Sequence, residues 1–114
     1  MENENYLVVI SADHMGSGND ELGSILMKSF LFALNQQNHL PQEILLYNSG
    51  VRLVCEGSES LEDLRSLEKA GVRIASCGTC LDFFGLTKSI CLGEITNMYA
   101  IVEAQTKASR LICP

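Results

Sequence analysis

Cys77-Gly78-Thr79-Cys80 holds two thiols three positions apart, directly after the apolar run from Val72 to Ala75. A thiolate where a strand ends and a helix begins faces unpaired backbone N–H groups and the positive end of the helix dipole, which lower its pKa. The spacing therefore predicts a reactive sulfur. Two chemistries use such a pair: thiol-disulfide cycling and half of a zinc site. A structural zinc site needs four ligands, and no second Cys or His pair stands at suitable spacing, so no metal is expected. Thioredoxin-like context is also missing, since the chain has no Trp and only Pro41 and Pro114. Redox cycling by another route stays open. Plain packing of both thiols is the remaining alternative, but Gly-Thr beside a helix start favours exposure. Cys55, Cys91 and Cys113 lie among apolar neighbours and read as packing residues.

The elements that must position this pair alternate between strand and helix. Tyr6 to Ile10 is a continuous apolar run, as in a strand buried on both faces. Asn19 or Asp20 caps a helix in which Leu22, Ile25, Leu26, Leu31 and Leu34 recur near helical spacing. Met27, Phe30 and Phe32 widen its apolar face beyond one sheet contact, so part of it is expected to meet another subunit. Ile44 to Tyr47 reads as a second strand, ended by Asn48-Ser49-Gly50. Ser60 is placed to cap a second helix whose Leu61, Leu64 and Leu67 share a face and which Gly71 stops. Val72 to Ala75 is the third strand. Ile95, Met98, Tyr99 and Val102 fit a further helix at i, i+3, i+4 and i+7, and Leu111 to Cys113 closes as a last strand.

Strands separated by helices predict an α/β fold of three layers, flavodoxin-like or Rossmann-like. Its mainly parallel sheet has four to five strands, with helices on both faces. In such sheets the loops after the strands gather on one edge. The stretches Ser11 to Asn19, Asn48 to Gly50 and Ser76 to Cys80 should therefore converge, bringing Asp13, His14, Asn48, Cys77 and Cys80 into one shallow cleft. His14 could act as a base or donor beside the thiols. No spacing rule joins it to Cys77, however, and a surface-loop role fits it better. His39 is expected to be exposed. Gly16-Ser17-Gly18 resembles a phosphate-cradling turn only weakly, because Asp20 and Glu21 already fill the helix start with negative charge and no Walker lysine follows. No cofactor is expected.

With 114 residues, 46% of them hydrophobic, and a formal charge of −6, the chain fits one domain with a proper core. The scattered basic residues make nucleic acid or an anionic membrane surface a poor partner. No run approaches the roughly 20 apolar residues of a membrane span. The acidic Met1-to-Asn5 opening lacks the positive start of a signal peptide, and five cysteines, an odd number, suit a reducing compartment. The expected location is the cytoplasm.

Gly16 to Gly23, Asn48-Ser49-Gly50-Val51, Ser76-Cys77-Gly78-Thr79-Cys80-Leu81 and Gly93 to Tyr99 occur together and in order. On these four motifs the chain resembles the DsrE/DsrF-like sulfur-relay family over nearly its whole length. It is most similar to the DsrE-like domain of YedF-type proteins, a group associated with selenium metabolism and described as sulfurtransferase-like. The resemblance implies a single DsrE-like domain over residues 1–114, a flavodoxin-like fold and homo-oligomers. It also implies a sulfur carrier that takes sulfane sulfur as a cysteine persulfide. Cys77 and Cys80 become the catalytic pair, with Cys77 the expected acceptor and Cys80 its assistant or resolving thiol, an order that can be reversed. His14, Gly16, Asn19, Asn48, Gly50, Gly78 and Thr79 become the substrate-contacting residues. YedF-type proteins usually carry a second, TusA-like domain with its own cysteine, and this sequence has none. Two alternatives follow: the sequence is one domain of a two-domain protein, or it stands alone and works with a separate sulfur-donor or sulfur-acceptor protein, such as a TusA-like one. A non-catalytic oligomeric module that binds a ligand or protein is the alternative from a different class.

Overall fold

Every position of the strand Tyr6–Ile10 (β1) is buried, which a sequence run without polar alternation requires once both sheet faces are covered. The computed structural model describes residues 5–114, so the acidic Met1-to-Glu4 opening lies outside it. Four more strands follow: β2 (Glu43–Leu46), β3 (Arg73–Cys77), β4 (Glu94–Thr96) and β5 (Arg110–Ile112). They pair in parallel throughout, in the order β4-β3-β2-β1-β5. The helices are α1 (Asp20–Asn35), α2 (Leu61–Lys69), α3 (Gly78–Phe83) and α4 (Met98–Lys107).

Two cores lie on the two sheet faces. On one, Val8, Ile10, Ile44, Leu46 and Ile74 meet Met27 and Leu31 of α1 and Leu64 and Leu67 of α2. On the other, Leu7, Val9, Leu45, Ala75 and Cys77 meet Ile101 of α4. The expected α/β sheet with helices on both faces is the observed fold, with five strands. Each fully buried Leu or Ile contributes about 1.5–3 kcal/mol, so the α1–α2 layer carries most of the hydrophobic stabilisation.

The helix faces differ from the sequence expectation in an instructive way. On α1 the buried residues are Gly23, Met27, Leu31 and Leu34, while Leu22, Ile25, Leu26 and Phe32 are exposed. Apolar residues occupy two stripes of this helix, and spacing alone mixed them. Ile95 belongs to β4 and not to a helix. Asn97 ends that strand and caps α4 by accepting the Ala100 N–H at 2.9 Å, so the helix begins at Met98. Met98, Tyr99 and Val102 then lie outward and Ile101 inward. Ser60 precedes α2 without making a side-chain cap, and Gly71 stops the helix region with φ 104°. Cys55 packs in the core as expected, Cys91 is half-buried, and Cys113 is exposed one residue beyond β5.

Candidate functional site

β3 runs two residues further than the apolar pattern suggested, so that Cys77 both ends the strand and stands at the cap position of α3. The alternation of a strand then decides its exposure. Cys77 faces the α4-side core with Ala75 and is only 3% exposed, which corrects the expectation that both thiols are open. Cys80, in the first turn of α3, is half-buried and packs against both cores, next to exposed Thr79. Both cysteines are free thiols.

The turn after β2 meets Cys80, and the loop after β1 is tied to that turn. The backbone N–H of Asn48 donates to Cys80 Sγ at 3.0 Å. Asn48 adopts φ 52°, the only positive φ outside glycine among the described residues, and its Oδ1 accepts the Ser49 N–H at 2.8 Å. Asn tolerates this left-handed conformation because its short amide can bond locally. The turn is fastened to β1: Tyr47 N–H reaches the Ile10 carbonyl at 3.1 Å, and a Cβ on Gly50 would stand 2.5 Å from that same oxygen. Ser49 Oγ in turn accepts the Asp13 N–H at 3.2 Å, tying in the loop after β1.

Burial pushes the Cys80 thiol above its ordinary pKa, the Asn48 N–H works against it, and the hydrogen bond and charge of Cys77 add to the rise. The expectation of a lowered thiol is thereby corrected for Cys80. Burial favours the neutral thiol, and six residues of helix do not offset it. Less thiolate is present at neutral pH, but a thiolate of higher pKa is a stronger nucleophile once formed.

The other candidates take separate places. His14 is held within its own loop, with Nδ1 3.1 Å from Asp13 Oδ1 and Nε2 3.6 Å from Asp20 Oδ1. Asn19 caps α1 through the Leu22 N–H at 2.8 Å, and Gly16 forms an exposed turn at φ 79°. Gly78 lies against β4, where an added Cβ would approach Ile95 Cγ2 to 3.1 Å. His39 is exposed. Ser49 and Ser76 are the polar residues the sequence reading passed over. Ser76 had a visible signal, a hydroxyl at the end of an apolar strand directly before the first cysteine. Among the described residues no group of three or more His, Cys, Asp or Glu could hold a metal ion, and no helix is long and apolar enough to cross a membrane.

Fold and thiol geometry together define a parallel α/β protein with a cysteine pair at the carboxyl edge of its sheet. The chain belongs to the DsrE/DsrF-like family, whose model matches residues 4–114. Membership carries a sulfur-relay type of function in general terms. Among solved structures it is similar to the ychN protein from E. coli, with TM-score 0.74 and 17% identity over 97% of this chain and 99% of that one. A protein of unknown function, MTH1491 from Methanobacterium thermoautotrophicum, gives TM-score 0.73 and 23% identity, again over 97% and 99%. BT1422 from Bacteroides thetaiotaomicron gives 0.61 and 16% over 96% and 95%. At these identities the likeness is one of fold. No curated protein matches the chain.

Proposed function

We propose that the chain is a sulfurtransferase-like sulfur carrier that holds sulfane sulfur as a persulfide on the Cys77/Cys80 pair. The observation that carries this is the Asn48 N–H directed at Cys80 Sγ, a fixed donor on the more accessible of the two sulfurs. Accessibility also reverses the order expected from sequence: Cys80 is the acceptor and buried Cys77 the resolving thiol. The Cys80 thiolate attacks the outer sulfur of a donor persulfide, the donor S–S bond breaks, and the donor leaves as a thiolate. Attack by Cys77 on the inner sulfur would later expel hydrosulfide and leave a Cys77–Cys80 disulfide.

The donor or acceptor in this reading is a separate protein of TusA-like kind in a cytoplasmic sulfur relay or in selenium metabolism. The exposed α1 stripe supplies the homo-oligomer contact, with Ile25 58% and Phe32 57% exposed. Treating the purified chain with inorganic polysulfide and measuring intact mass, with and without reductant, tests the reading. A reductant-sensitive gain of one sulfur on Cys80 is expected, and no gain on either cysteine rejects the carrier. Two free thiols three positions apart favour a second reading, a dithiol-disulfide redox protein. That reading requires loss of two hydrogens under mild oxidation and no added sulfur.

A further inference from the structure

Ser76 stands immediately before Cys77, is 1% exposed, and its hydroxyl oxygen has no hydrogen-bond partner among the described residues. Alternation along β3 fixes the side to which it turns. Ile74 belongs to the α1–α2 core, Ala75 and Cys77 to the α4 core, so Ser76 faces with Ile74. The register sets it between Leu46 of β2 and Ile95 of β4, with Ile10 beyond Leu46. A hydroxyl in a row of Ile and Leu is unfavourable there, and alanine would occupy the place without an unsatisfied group.

Cys80 lies four positions on and packs partly against the same α1–α2 core that Ser76 faces. Its side chain packs against both cores, and side chains in the first turn of a helix lean toward the helix amino end, here the end of β3. The bare thiol does not engage Ser76. One added sulfur lengthens the Cys80 side chain by an S–S bond of about 2.05 Å and ends it in an acidic S–H whose anion accepts hydrogen bonds strongly.

We infer that the Ser76 hydroxyl binds the sulfane sulfur carried on Cys80 by donating a hydrogen bond to its terminal anion. The inference rests on the carrier reading above and names the group that holds its cargo. In loading, Cys80–S⁻ attacks the outer sulfur of R–S–SH, giving Cys80–S–SH and R–S⁻. The persulfide proton then passes to solvent, leaving Cys80–S–S⁻ for Ser76 to meet. The sulfur keeps its oxidation state, so no external oxidant enters.

The test loads the full chain with inorganic polysulfide, as wild type, Ser76→Ala and Ser76→Thr, and follows the Cys80 persulfide by mass over time beside urea unfolding. Ser76→Ala should be at least as stable as wild type, yet lose its persulfide about tenfold faster, as expected for one charge-assisted hydrogen bond. Ser76→Thr, which keeps the hydroxyl, should retain the wild-type persulfide lifetime. Equal lifetimes in wild type and Ser76→Ala overturn the inference. So does a destabilised or unfolded Ser76→Ala, because the hydroxyl would then hold structure and not sulfur. If wild type itself takes up no sulfur, it is the carrier reading that fails.

Discussion

The Asn48 N–H lies 3.0 Å from the Cys80 sulfur, joining the turn after β2 to the helix after β3. This bond opposes a thiol pKa that burial and Cys77 both raise. Because Cys77 contributes through its hydrogen bond and charge, Cys77→Ala should bring the titration of Cys80 down toward the ordinary thiol range. Iodoacetamide labelling of Cys80, followed by peptide mass across pH, measures this. In wild type the rate should still be climbing above the usual thiol pKa of about 8.5, and a plateau near neutrality would remove burial as the controlling cause. The linkage sign follows. A raised folded pKa stabilises the fold below the unfolded thiol value, and that contribution is lost as pH rises through the folded value. Cys80→Ala should therefore lose less stability than wild type between neutral and alkaline pH.

Glu43 and Arg73 make the corresponding argument at the opposite edge of the sheet. Burial raises the Glu43 carboxyl although Arg73 Nη1 lies 3.5 Å away, and Arg73 also grips Glu94 through two bonds of 2.8 and 3.0 Å. Removing the guanidinium as Arg73→Ala leaves a buried carboxylate uncompensated, at a cost of about 1–3 kcal/mol near neutral pH. The deficit should shrink as pH falls through the raised Glu43 value, where the group becomes neutral. Glu94, lowered by Arg73, acts in the same sense, since its contribution is present above the unfolded carboxylate pKa and lost in acid. Urea unfolding at neutral pH and near pH 4 distinguishes this from a pH-independent packing loss.

Gly50 marks a limit on how the site can vary. Its missing side chain lets the turn approach β1, and a Cβ there would stand 2.5 Å from the Ile10 carbonyl oxygen. Gly50→Ala should cost about 3 kcal/mol or more, because backbone must move on both sides. It should also loosen Asn48 from Cys80, so the labelling rate of Cys80 should change together with stability. A variant of wild-type stability would show that the turn yields freely.

Much of this arrangement was legible in the residues. The apolar runs marked β1 and the interior of β2, and the motifs after β1, β2 and β3 marked the edge where loops meet. Legibility failed where one signal served two purposes. Ile95, Met98, Tyr99 and Val102 keep helical spacing, yet Asn97 interrupts them with a cap and Glu94–Thr96 is a three-residue edge strand too short to announce itself. Cys77 read as exposed because β3 was ended too early, and one strand position is enough to turn a side chain to the other face. The Asn48 contact to Cys80 crosses 32 positions of sequence through a backbone group, which no side-chain pattern records.

The outer stripe of α1 is the last consequence to be checked. Leu22, Ile25, Leu26 and Phe32 lie exposed on a helix whose inner face already has Met27, Leu31 and Leu34. Solvent gains nothing from such a stripe, and a second copy of the chain is the occupant the carrier reading calls for. Ile25→Glu places a charge in the middle of that surface without touching the core, so folding should be preserved within about 0.5 kcal/mol. Light scattering should find wild type larger than one chain and the variant shifted toward the monomer. Because Ile25 is exposed and makes no part of the core against which Cys80 packs, the monomeric variant should still take up sulfur from polysulfide. An assembly unchanged by the substitution would move the contact off this helix, and a wild type that is monomeric at micromolar concentration would remove the oligomer altogether.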